Sequence, residues 1–171
     1  IKIATVIQRV RHVFVWLNRI GHCRGFGIQS PADYWLVRYV FNGIGHIISL
    51  AVGEEDDWLT RKLGLLYFRI ANWRQPHVIE SDSFEQYLQA GCRDAKFGDS
   101  VELIRLCLVG DCRSRLASIY NKVVDNTVLI VEAIGQNRAL WDEIVADERA
   151  RVTFDLYYCG IVLFDKKRHK L

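Results

Sequence analysis

The chain has 171 residues, half of them hydrophobic and 25% charged, which suits one folded core or a core with a helical appendage. A net charge of +3 is too small to argue for nucleic acid by itself. Five cysteines (Cys23, Cys92, Cys107, Cys112 and Cys159) form no C-x-x-C pair, and the spacing of Cys107 and Cys112 suits zinc poorly. They read as free, buried thiols in a reducing compartment, so a cytoplasmic location is expected.

Residues 3–20 carry Ile3, Val6, Ile7, Val10, Val13, Phe14 and Leu17 at helical spacing. Lys2, Arg9, Arg11, Arg19 and Arg24 give this segment a basic side with no acid before residue 31, while Gln8, Arg9, Arg11 and His12 interrupt it too often for a signal peptide. His22 and Cys23 are adjacent and lack a third partner, so they make no reactive pair. Ser30, Pro31 and Asp33 are the signature of a helix start, with the helix expected to run to Phe41. The window 34–53 is apolar but contains Arg38, Asn42 and His46, so it reads as a buried helix and no transmembrane segment is expected. The acids at 54–57 favour the start of a third helix over 55–73, which Pro76 ends. Trp16, Trp35, Trp58 and Trp73, at helical positions, read as core.

From His77 the pattern changes. Val78 and Ile79 form a short strand leading to Glu80, Ser81, Asp82 and Ser83, and a helix is expected over 84–90. The serines and Asp82 are suited to capping it. The run 103–109 is apolar but broken by Arg105. Helices are expected over 115–124 and 140–146, and a strand over 127–131 whose β-branched run fits a sheet covered on both faces. Strands at 152–158 and 161–164, separated by Cys159 and Gly160, suggest a closing antiparallel pair. The fold class is therefore α/β: a mostly parallel sheet with an antiparallel C-terminal hairpin, preceded by N-terminal helices. We assign residues 1–74 to a helical extension packed on the sheet and 75–171 to the α/β domain.

Three stretches together resemble a bacterial family of class I S-adenosylmethionine-dependent methyltransferases with a helical N-terminal extension. GFGIQSP at 25–31 is similar to the family's H-G-[IV]-H-S-P-F motif. LGLLYFRIAN at 63–72, followed by Pro76, looks like the helix before its first strand, and DLYYCGIVLF at 155–164 like its closing hairpin. The resemblance implies a shortened Rossmann-like sheet with cofactor-site positions at Glu80, Ser81, Asp82, Ser83, Asp111 and Glu132.

The departures from the family pattern fall on that site. Its glycine-rich loop is replaced by ESDSFE at 80–85, with Asp82 where bare backbone should approach the cofactor. About twenty residues separate Asp82 from Leu103, room for one helix and a loop, so neither Asp94 nor Asp99 is expected to end a strand as the acid that holds the ribose. VEAIG at 131–135 keeps Glu132 but lacks the family's second acid and histidine. The expectation is a degenerate relative that binds no S-adenosylmethionine and is kept for a binding or structural role. An exposed sheet edge would let it form a homo-oligomer.

Two other readings are an active methyltransferase of unknown substrate and a peripheral binder of anionic surfaces through the basic first helix. Asp111 with Arg113 is expected to be a solvated ion pair. Glu132 with Asp142 and Glu143 is a weak candidate for a divalent cation.

Overall fold

A computed structural model describes residues 30–42 and 56–166. The expectations for residues 3–20, His22 with Cys23, and Trp16 lie outside the described residues. The chain divides into two compact units, 1–50 and 51–171. No described helix is long and apolar enough to cross a membrane.

In the first unit, α1 (Pro31–Trp35) starts as its sequence dictates: Ser30 Oγ accepts from the Asp33 amide at 3.4 Å, and Pro31 opens the first turn. The helix does not stay α-helical to Phe41. Over Leu36–Phe41 the ladder widens to a π-helix, and both the backbone and the side-chain amide of Asn42 donate to the Val37 carbonyl at 3.0 Å. A side chain that competes for that carbonyl stabilises the wider turn, and it brings Leu36, Val37, Val40 and Phe41 to the buried side. Trp35 stays 48% exposed, against the expectation of a core tryptophan.

In the second unit, Asp57 caps α2 (Trp58–Arg74) by accepting from the Leu59 and Thr60 amides at 2.8 and 2.9 Å. Gln75 ends the helix in the left-handed region, with φ of 47°, immediately before Pro76. Trp58, also expected in the core, is 56% exposed, and among the described residues the buried tryptophan is Trp141.

The remaining elements alternate as the sequence suggests: β1 (Val78–Glu80), α3 (Glu85–Gly91), β2 (Lys96–Phe97), β3 (Leu103–Cys107), α4 (Cys112–Lys122), β4 (Val128–Glu132), α5 (Arg138–Ala146), β5 (Val152–Asp155) and β6 (Cys159–Leu163). They build an α/β unit around a six-stranded sheet of order β2-β1-β3-β4-β6-β5. β2, β1, β3 and β4 are parallel, and β6 runs antiparallel to both β4 and β5. The sheet is mostly parallel with one reversed strand. β2 is a correction, because the sequence leaves a loop there. Two residues are too few to show an alternating pattern, and the Gly98 amide, donating to the Ile79 carbonyl at 3.0 Å, extends the pairing.

One sheet face presents Ile104, Leu106, Leu129, Val131 and Val162 to α4 and α5, and these residues form the main apolar core with Leu116, Ile119, Leu140, Trp141 and Ile144. On the opposite face, α2 spans the length of β4. Tyr67 reaches Glu132 at the strand's end, and Arg74 donates to the Asn126 carbonyl just before its start, at 2.8 Å. Among the described residues four cysteines are free, with Cys92, Cys112 and Cys159 buried and Cys107 half-buried.

The C-terminal hairpin turns where the sequence does not advertise it. Cys159 and Gly160 lie inside β6, and the turn is made by residues 156–158, with Tyr157 at φ of 76° and its amide bound to Asp155 Oδ1 at 2.9 Å. Gly160 serves packing, because a Cβ there would meet the Trp141 ring. Overpacking of this kind costs about 1–3 kcal/mol. Gly160→Ala should therefore lower stability by that amount in denaturant melts, with unchanged helical circular dichroism before the transition.

Candidate functional site

The strand order reverses between β1 and β3, since the chain moves outward from β1 to β2 and then returns to β1's other side. The carboxyl ends of strands at such a point diverge and leave a crevice. Here the crevice holds an arginine. Arg105 lies in the middle of β3, opposite Ile130 of β4, and its side chain is only 5% exposed.

Arg105 donates to Glu132 Oε2 from Nε at 2.9 Å and lies 2.7 Å from the same oxygen through Nη2. Through Nη1 it donates to Asp82 Oδ1. The Tyr67 hydroxyl donates to Glu132 Oε2 at 3.0 Å, and Arg115 of α4 donates to Asp82 Oδ2 at 2.7 Å. The Phe84 ring lies 5.2 Å from the guanidinium carbon, a cation–π distance, and meets the Tyr67 ring edge-on at 4.9 Å. Phe84 reaches that position through a left-handed backbone, φ of 61°. The capping expected from the preceding serines and Asp82 does not occur: Phe84 stands at the N-cap of α3 with no side-chain cap. Ser81 Oγ instead donates to the Ser83 carbonyl, while Asp82 is drawn to the two arginines.

Glu80 is turned to the other face of the sheet. It accepts from Lys122 at the end of α4 and from the Ser100 amide at 3.3 Å. Lys122 also binds Asp99, which stands two residues beyond β2 and so does follow a strand, contrary to expectation. Asp94 precedes that strand.

Asp111 lies apart from this cluster and accepts from the Ser114 hydroxyl at 2.6 Å. Its expected partner Arg113 pairs with Glu143 of α5 at 2.8 Å instead, because α4 and α5 lie side by side on the sheet. Asp142 pairs with Arg138 at 3.3 Å. The three acids Glu132, Asp142 and Glu143 thus have three separate cationic partners, and no group of three or more histidine, cysteine or acidic side chains among the described residues converges as a metal site.

Of the six expected site residues, Asp82 and Glu132 are brought together by Arg105. Ser81 and Ser83 line the same loop, whereas Glu80 and Asp111 are held elsewhere. Sequence reasoning missed Arg105 as the centre and noted it only as a break in an apolar run. That break was the available signal, since a cation inside a strand covered on both faces must find carboxylates.

Burial opposes ionisation of Asp82, but the Arg115 hydrogen bond and the charges of Arg105 and Arg115 outweigh it and hold the carboxyl below its ordinary value. Burial likewise opposes the charge on Arg105, and Glu132 reverses the balance and raises its pKa. The Tyr67 phenol is pushed well above its usual value, by burial first and then by its negative neighbours. The Cys107 thiol is raised by burial and by Glu132. Neither the phenol nor the thiol is therefore prepared to act as a base or nucleophile near neutral pH. What the arrangement does chemically is neutralise itself.

Compared with protein-family models, curated proteins and solved structures, the chain matches none.

Arg105→Ala would leave Glu132 without a cationic partner, while Asp82 keeps Arg115, and should cost about 3–5 kcal/mol, as when one partner of a buried ion pair is removed. An Arg105→Met, Glu132→Gln double variant should recover part of that loss in urea melts, and equal losses would mean the pair is not coupled. A depressed carboxyl stabilises the fold fully above its unfolded value, 3.8, and loses that contribution as pH falls through its lower folded value. The destabilisation caused by Asp82→Asn should accordingly shrink as the pH of the melts drops below 3.8.

Proposed function

We propose that this protein is a methyltransferase-like α/β protein that has lost S-adenosylmethionine binding and catalysis and acts through binding or as a structural element. The supporting observation is the Arg105 cluster. The crevice at the strand reversal, where a Rossmann-like sheet admits its cofactor, is occupied by a guanidinium with carboxylates on two sides and an aromatic ring over it. The two acids of the resemblance that lie there, Asp82 and Glu132, face that guanidinium. The loop between β1 and α3 carries Phe84 in a left-handed conformation where the family loop is rich in glycine. Edge strand β2 is two residues long and begins with an exposed Lys96, features that restrain edge-to-edge pairing, so a homo-oligomer would use β5 or a helical face.

An active S-adenosylmethionine-dependent methyltransferase is the second reading. Asp99 favours it, because it follows β2 where an acid for the ribose hydroxyls would stand. In that case Lys122 would have to release it.

Calorimetric titration with S-adenosylmethionine and with S-adenosylhomocysteine separates the two. The first reading expects no saturable heat and no rise in melting temperature with excess ligand. One-to-one binding of either compound would overturn it and favour the second.

A further inference from the structure

At the opposite end of the sheet, where β4 and β5 begin, a cleft of about 630 Å³ lies between the end of α4 and the loops entering those strands. Its volume falls in the range of small-molecule sites. Tyr120, Val123 and Phe164 give it an apolar wall, with the Tyr120 and Phe164 rings edge-to-face at 6.2 Å. Half-exposed Val124 adds apolar surface at the mouth.

Three cations line the same cleft, and their circumstances differ. Arg149 stacks 4.0 Å over the Tyr120 ring and is held by Asp147 at 2.8 Å. Lys166 pairs with Asp125 at 3.2 Å. Arg151 is half-buried and has no acidic partner among the described residues. Beneath Arg149 the Tyr120 hydroxyl is buried without a hydrogen-bond partner among the described residues.

We propose that this cleft binds a small amphipathic anion: a planar apolar body lies along Tyr120, Val123 and Phe164, and one carboxylate or phosphate group meets Arg151. A partly buried guanidinium is screened less by solvent and salt than an exposed one and makes strong charge-assisted hydrogen bonds. Of the cleft's two acids, Asp125 is already paired, as is Asp147 beside the cleft. Glu148, the remaining one, is exposed, which weakens its claim on Arg151. The site is at the opposite end of the strands from the Arg105 cluster and does not depend on the reading of that cluster.

The test is an isotope-edited NMR titration of the whole chain with 2-naphthoate, which carries the chemistry inferred for the ligand. Saturable shifts are expected at residues 120–126, 148–151 and 164–166. Arg151→Ala should weaken binding about tenfold or more, with Arg151→Lys recovering part of it and both variants keeping the wild-type melting temperature. The same ring system with the opposite charge, 2-naphthylmethylammonium, should not saturate. Absence of saturable shifts with 2-naphthoate, equal affinity in Arg151→Ala, or equal binding of the cation would each overturn the proposal.

Discussion

A guanidinium cannot shed its charge inside a protein, so an arginine in the middle of a covered strand has to be met by carboxylates wherever the fold can supply them. Arg105 occupies such a position, flanked in the sheet by β1 and β4. The acids within reach are at the carboxyl ends of those neighbours, Asp82 beyond β1 and Glu132 closing β4. Once they are drawn inward, other elements follow. Tyr67 fixes α2 over the sheet through Glu132, Arg115 ties α4 to Asp82, and Phe84 adopts a left-handed backbone with its ring over the charge. One cation thereby couples two strands, two helices and the loop that opens α3.

A second cation does related work on the other sheet face. Lys122, in the last turn of α4, gathers Glu80 from β1 and Asp99 from beyond β2. That joins the short edge strand to a helix that packs against the centre of the sheet. Ser100, 3% exposed, reinforces the junction by donating from its hydroxyl to the Val78 carbonyl at 2.6 Å. The loop from β2 to β3 crosses β1 without a helix, and these polar contacts hold it where a crossover helix would otherwise bury apolar surface.

Close backbone approaches set the remaining geometry. Gly91 of α3 lies flush against the Phe68 carbonyl of α2, where a Cβ would collide with it, so the two helices approach closely at this point. Gly160 allows Trp141 to lie directly on β6. In both places glycine is required by contact with a neighbour and not by a turn, which is why the hairpin turn read from Cys159 and Gly160 falls instead at Tyr157.

The α/β class, the order of helices and strands after His77 apart from β2, and the reversed final strand followed from the sequence alone, because apolar periodicity, Pro76, the cap at Ser30 and the acids before Trp58 are local signals that tertiary contacts did not override. The sequence also marked Glu80, Asp82 and Glu132 as residues of interest and Arg105 as an interruption. Their pairing was not legible. It depends on strand order and register, which place Arg105 opposite Ile130 and within reach of Glu132, a residue twenty-seven positions away. The same applies to β2, too short to carry a period, and to the cleft where β4 and β5 begin, whose walls come from three separate stretches of chain. Local chemistry determined which of the longer segments become helix or strand; the packing of the sheet decided where the final hairpin turns and which charges meet.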